Sequence, residues 1–202
     1  MATGAGVYIR PAATPAEVRT AYGLAQAEFP EETARSPRSG DFYAERHPSE
    51  SDIQIVAVAE GQIVGCALAS AQGRSATVGE VVVALGWRGR GIGRRLLSEL
   101  ESRGRVRGLE RLILGSVDES VDFYVRVGYE TVLMIQTLQD GDLLEKVLAG
   151  PLAGTAPERR HHPEWGWQAF LKLPAPDIEL QRACAALGAH AGWVMSKPLD
   201  TP

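Results

Sequence analysis

The stretch GWRGRGIGRRLL, Gly86 to Leu97, constrains this chain more than any other: Gly89, Gly91 and Gly93 stand at every second position among arginines, and the run then enters a helical pattern. Glycine in alternation costs backbone entropy and packs nothing, so a fold that carries it needs positive φ angles or the close approach of another group to the main chain. The preceding ATVGEVVVAL reads as a strand. In the following GIGRRLLSELESRG, Ile92, Leu96, Leu97 and Leu100 share one helical face and Arg94, Arg95, Glu99 and Arg103 the other, with Gly104 and Gly108 ending the helix. Strand, glycine-rich turn and helix together make an anion cradle, because the first turn of a helix leaves its amide hydrogens unpaired and aligned. Amides from Arg88 to Arg94, with charge from Arg88 and Arg90, suit a pyrophosphate. A tight connection with solvated arginines fits the same letters. Two other phosphate motifs fail on spacing: the dinucleotide fingerprint would need glycine where Arg94 stands, and a P-loop would need Gly-Lys-Ser/Thr, which the chain lacks.

At 202 residues, 45% hydrophobic and 23% charged, the chain has the length and balance of one globular domain, or a domain with an appendage, and is long enough to bury a core. The net charge of −4 gives no reason to expect nucleic acid as the main partner, since phosphate-backbone binding normally leaves a basic surplus. No apolar run reaches the length of a membrane span, and MATGAGVYIRPAATP has neither the basic start nor the hydrophobic core of a signal peptide, so no membrane partner and a cytoplasmic location are expected. Cys66 and Cys184, far apart among apolar neighbours, read as buried free thiols.

Along the chain, VYIRPA is a short strand and TPAEVRTAYGLAQAEF a helix with Thr14 as N-cap and Pro15 at its first position. Pro30 to Asp52 is polar and turn-rich, a loop with a short helix anchored by Phe42 and Tyr43, and loops of that size are more often binding elements than linkers. Three strands in succession, IQIVAVAE, QIVGCALASA and ATVGEVVVAL, form an antiparallel meander. After the glycine–arginine helix come a strand RLILGSV, a short helix ESVDFYVRVG closed by Gly128 in a left-handed cap, and a strand YETVLMIQTL. In the tail, Asp142 caps LLEKVLAG and Asp177 starts IELQRACAALG. With a weak strand at Glu158 to His161, the run from Tyr129 onward reads β-α-β-β-α-β, the ferredoxin-like order. The adjacent His161 and His162 lack clustered ligands and read as surface residues with no metal, and Trp165 and Trp167 as packing anchors.

The residues Arg88, Gly91 and Gly93 in RGRGIG, between an apolar strand and an amphipathic helix, resemble the coenzyme A loop of the GNAT-type (GCN5-related) N-acetyltransferases. DFYVRVGYE is similar to that family's FYxxxGF element, with Phe123, Tyr124, Gly128 and Tyr129 in register, and WVMSKPL is similar to its closing strand. The resemblance covers residues 7 to 136 and the last strand. It implies a mixed α/β (α+β) fold with a mostly antiparallel central sheet flanked by helices, here with a C-terminal inserted α-β-β-α lobe of ferredoxin-like order. The implied segments are an acetyltransferase core over 1–138, an accessory lobe over 139–188, and a closing strand and tail over 189–202. The implied cofactor is acetyl-CoA, as co-substrate. Its pantetheine arm would lie along Val81, Val82 and Val83, chiefly on the main chain of Val81 and Val83, and its pyrophosphate on Arg88, Gly89, Arg90, Gly91, Ile92, Gly93 and Arg94. A plain core strand explains the three valines equally well as sequence.

The resemblance makes Tyr124 the candidate general acid, a phenol able to protonate the departing thiolate, against the reading of a core tyrosine. Glu80 interrupts an apolar strand and is either a solvated strand start or a base that takes a proton from the amine through water. Glu28, Glu31 and Glu32 are alternatives. Many members of the family it resembles carry an asparagine at about the place of Val117, leaving Ser116, Asp118 or Ser120 as the candidates to hold the cofactor arm. The implied activity is direct acetyl transfer in a ternary complex to a primary amine, small-molecule or peptide. The alternative is a catalytically silent acetyl-CoA sensor or interaction module. A homodimer is compatible with either.

Overall fold

The computed structural model describes residues 6–199. The elements are β1 Tyr8–Pro11, α1 Pro15–Glu28, α2 Pro30–Arg35, α3 Gly40–Glu50, β2 Gln54–Ala59, β3 Gln62–Gln72, β4 Ser75–Val83, α4 Ile92–Val106, β5 Arg111–Ser116, α5 Asp118–Arg126, β6 Glu130–Gln136, α6 Gly141–Ala149, β7 Glu158–His162, β8 Gly166–Leu173, α7 Ile178–Ala186 and β9 His190–Pro198. They form a mixed α/β structure whose strands are mostly antiparallel and flanked by helices. Contacts divide it into two compact units: one runs to Ile113 and takes the chain back at Pro198, and the other is Leu114–Lys197.

In the first unit β1 to β4 form the antiparallel meander, and the start of β5 joins it in parallel, Ser75 to Thr77 facing Arg111 to Ile113. Cross-strand partners share a face. The register Val56↔Cys66↔Val82 and Leu68↔Glu80 therefore puts these residues on one side of the sheet. There they meet Val18, Ala21, Tyr22 and Ala25 of α1 and Tyr43 and Ala44 of α3 in one core. The opposite face is covered by α4, whose Ile92, Leu96, Leu97 and Leu100 are buried as its apolar stripe requires.

Three expectations are corrected here. Pro30 to Asp52 holds two helices rather than a loop carrying one short helix: α2 and α3 are joined at Ser36–Ser39, and Ser39 caps α3 by accepting from Phe42 N at 3.2 Å. The cause is tertiary, because Tyr43 is fully buried and its carbonyl accepts from the buried Gln54 amide at 2.8 Å. Gly104 does not end α4. It lies inside the helix, where a Cβ would come within 2.8 Å of Leu199 Cδ1, and the chain turns at Gly108 with φ +80°. The cap of α6 is Asp140, accepting from Leu143 N at 2.8 Å, with Asp142 inside the first turn. Thr14 and Asp177 cap α1 and α7 as read.

In the second unit the strands lie in the order β9-β6-β8-β7, each neighbour antiparallel, with the chain order β6-α6-β7-β8-α7-β9. This is the ferredoxin-like arrangement expected from the tail. Trp193 on β9 is buried and donates its indole N–H to Gln181 of α7 at 3.1 Å, and the Gln181 amide donates to Asp118 and to the Ala191 carbonyl. Gly166, at φ +72°, lies so close to the Leu138 carbonyl that no Cβ fits. That carbonyl accepts from Trp167 N at 2.6 Å. His161 and His162 sit on β7 against Trp167 and Trp165.

Candidate functional site

Beyond Thr77, the edge of β4 that faces away from β3 has no strand partner among the described residues. Ala84 N donates to Val64 O at 3.0 Å, which by the antiparallel alternation makes Val82–Cys66 and Glu80–Leu68 hydrogen-bonded pairs and turns the main-chain groups of Val81 and Val83 outward. The side chain of Val82 is in the core. The outward carbonyl of Val83 accepts from Arg88 Nε at 2.9 Å. Past a single 3-10 turn at Leu85–Trp87, Gly89 and Gly91 adopt φ +74° and +73°, and Gly91 is the N-cap of α4. Gly93 is the second residue of that helix, so two of the three glycines answer a left-handed requirement.

After Arg88, the first amide to find a main-chain acceptor is that of Arg95, which donates to Gly91 O at 3.1 Å. Among the described residues the amides of Gly89 to Arg94 donate to nothing. Gly89, Arg90, Gly91 and Arg94 are solvent-exposed, and Ile92 points into the core. Exposed, unpaired amides at the head of a fifteen-residue helix fit an anion. The arginines have partners of their own: Arg88 pairs with Glu28 at 2.5 Å, Arg90 donates to Gly86 O and lies over the Trp87 ring, and Arg95 donates to Val7 O. Glu28 also accepts from Leu85 N at 3.1 Å, so it braces the turn. Glu31 is in an ion pair with Arg35, and Glu32 is exposed.

Glu80 is not a solvated strand start. It is the sixth residue of β4, 8% exposed, next to a register shift at which Leu68 faces Glu80 and Ala69 faces Val78, leaving Gly79 as the bulged residue. A Cβ at Gly79 would overlap the Tyr43 hydroxyl and come within 3.4 Å of Arg38 Cδ, so glycine is what lets α3 and the α2–α3 joint close on the bulge. Burial pushes the Glu80 carboxyl up to about 7 against the opposing pull of the Arg38 guanidinium. Burial, reinforced by Glu80, likewise raises the Tyr43 phenol and the Cys66 thiol, and Tyr22 more mildly. Cys66 and Cys184 are both free and buried.

Sequence reasoning found Glu80 but not what surrounds it. Tyr43 was legible as an apolar anchor and, with Arg46, as a residue that could favour an amino acid or peptide end, while Arg38 and Tyr22 carried no signal beyond lying in or near the suspected binding segment. Tyr22 Oη donates to Arg38 O at 2.8 Å, and both residues line a cavity of about 490 Å³ between α1, α2 and the start of α3.

In the second unit, Tyr124 is 7% exposed on α5, with edge-on contacts to Phe123 at 5.1 Å and Tyr129 at 5.7 Å. Gly128, at φ +90°, turns the chain so that Tyr129 N donates to Tyr124 O at 3.0 Å. Ser116 Oγ donates to Val117 O at 2.9 Å, Val117 stands uncapped at the head of α5, and Asp118 accepts from Gln181. Among the described residues no helix is long and apolar enough to cross a membrane, and no group of three or more His, Cys, Asp or Glu could hold a metal ion.

Residues 19–129 match the model of the acetyltransferase (GNAT) family. A curated relative, N-alpha-acetyltransferase 80 of Mus musculus, is 33% identical over 131 residues, 65% of this chain, which spans only 36% of that protein. Among solved structures, the ribosomal-protein-S18-alanine N-acetyltransferase of Escherichia coli superposes with a TM-score of 0.56 at 15% identity, covering 98% of this chain and 96% of its own. A phosphinothricin acetyltransferase of Sinorhizobium meliloti in complex with AcCoA gives 0.55 at 21% identity, covering 96% of this chain and 88% of its own. The PaiA N-acetyltransferase of Thermoplasma acidophilum in complex with coenzyme A gives 0.52 at 15%, covering 83% and 99%.

Proposed function

The chain belongs to the acetyltransferase (GNAT) family, and from that membership and the geometry of β4 we propose that it transfers acetyl from acetyl-CoA directly to a primary amine, with both substrates bound together. The observation that carries the reading is the continuity of one surface: outward main-chain groups at Val81 and Val83, then the unpaired amides of Gly89 to Arg94 at the head of α4. An extended amide-bearing arm matches the first as an added strand would, and a pyrophosphate matches the second. Arg88 and Arg90 add positive charge there, and Glu28 holds Arg88 in place.

The thioester supplies an acetyl group already activated toward amines. Glu80 is assigned the proton taken from the amine through water: a carboxyl titrating near 7 is about half ionised at neutral pH and serves as a base there. Tyr124 is assigned the proton given to the leaving sulfur, on its place in the FYxxxG pattern. One C–N bond forms, one C–S bond breaks, and the products are the N-acetylated amine and a free thiol. Ser116 is assigned to the cofactor arm. Residues 139–188 are read as an accessory lobe on the core made by 1–138 and 189–202.

Acetyl-CoA turnover over a broad amine panel, with the intact protein against Tyr124→Phe and Glu80→Gln, tests this. We expect turnover on at least one amine class, lowered about 10²-fold by either substitution with coenzyme A affinity retained. Coenzyme A binding without turnover on any amine would instead support a sensor.

A further inference from the structure

The cavity between α1, α2 and α3 contains an unusual arginine. Several arginines of the first unit are held in ion pairs: Arg10 with Glu17, Arg19 with Asp41, Arg74 with Glu110, Arg88 with Glu28 and Arg107 with Asp52. Arg38 is half-buried, its Nε is enclosed without an acceptor, and among the described residues its guanidinium donates to no protein oxygen. Its Cζ lies 5.8 Å from the centre of the Phe42 ring. A guanidinium taken partly out of water without an acceptor is costly, so a fold that holds one in a cavity wall leaves its partner to be supplied from outside.

The surroundings say what that partner is. Asp41, the acid lining the same cavity, is already taken by Arg19 at 2.6 Å, so Arg38 is the uncompensated charge of the wall. Arg38 is fixed rather than mobile at its base, because Tyr22 holds its carbonyl at 2.8 Å and Ser36 Oγ accepts from its amide at 3.2 Å. Arg38 and Tyr22 both line the cavity and both lie within the electrostatic reach of Glu80. Arg38 forms no ion pair with Glu80 and acts on it at longer range, pulling its carboxyl down against burial. A volume of about 490 Å³ lies in the range of small-ligand sites.

We propose that Arg38 is the specificity-determining residue of the acceptor cavity and that the amine acetylated by this protein carries its own carboxylate, which Arg38 receives while the amino group points toward Glu80. The inference rests on the acetyltransferase reading and adds the substrate class to it. Two sources share this chemistry, a free α-amino acid and a peptide end with an acidic side chain.

The test measures kcat/KM for acetyl transfer to free α-amino acids, to their α-carboxamides, and to short peptides with an acidic or a neutral second residue. The protein is expected to favour the carboxylate-bearing member of a matched pair by ~10- to 100-fold, the size of a charge-assisted hydrogen bond made or lost. Whichever pair shows the preference names the source. Arg38→Gln is expected to bring the ratio close to one and Arg38→Lys to restore part of it, with coenzyme A titration confirming that both variants fold. Equal rates within the pairs, or a preference that survives Arg38→Gln, overturns the proposal. Should no amine be turned over, the enzymatic reading fails by itself, and calorimetry decides this one. Binding of a carboxylate-bearing amine to the parent protein but not to Arg38→Gln upholds it, and equal or absent heats reject it.

Discussion

Glu80 shows how one residue takes its chemistry from its neighbours. In the fold its carboxyl titrates near 7 against an ordinary 4.5, so the folded chain holds that proton more tightly than the unfolded one. The stability this contributes is fully present below about 4.5 and is lost as pH rises toward 7, at about 1.4 kcal/mol for each step of one in pH. Glu80→Gln should therefore flatten the fall in melting temperature over that window and leave the protein more stable than the parent above pH 7, as thermal denaturation across pH will read. The parent kcat/KM should rise with pH through about 7 and level off, as it does for a base that works ionised. The letters around position 80 show an acid interrupting apolar residues. They do not show that Tyr43 and Tyr22 arrive beside it from α3 and α1, and the choice between a solvated strand start and a buried carboxyl turned on that packing.

At the scale of elements, the β4–turn–α4 unit was the most legible part of the chain, because its requirements are local. Left-handed φ angles at Gly89 and Gly91 need glycine, and unpaired amides belong to any helix start. Gly89→Ala and Gly91→Ala should each cost about 1 kcal/mol of stability and weaken coenzyme A binding several-fold, measured by calorimetry. The bulge of β4 obeys a different rule. Gly79 is not in the left-handed region, and its missing Cβ is space occupied by the Tyr43 hydroxyl. Gly79→Ala is expected to destabilise by about 2 kcal/mol through overpacking, and adding Tyr43→Phe should recover part of that loss in a double-mutant cycle. Gly104 belongs to the same class, reading as a helix stop in sequence and serving as a close approach to Leu199 and Leu109 in the fold.

For the whole molecule, residues 139–188 are structurally committed to the second unit: β8 pairs with β6 from Thr131 to Gln136, and Gln181 of α7 binds the Trp193 indole. Replacing 139–188 by a short hairpin should abolish the near-ultraviolet dichroism of Trp193 and the protection of the β6 amides in hydrogen exchange. The strand order of both units, the helices outside Pro30–Asp52, the glycine turn before α4 and the ferredoxin-like tail followed from the sequence alone. Each is written in hydrophobic period, capping residues and glycines whose conformational demand is carried by neighbours in the chain. Only the tertiary structure turned Pro30–Asp52 into helices, buried Glu80, tied Glu28 to Arg88 and left Arg38 without an acceptor. Those outcomes depend on which groups meet across the fold, where burial and pairing set the charge state of a side chain, and no local pattern encodes such meetings.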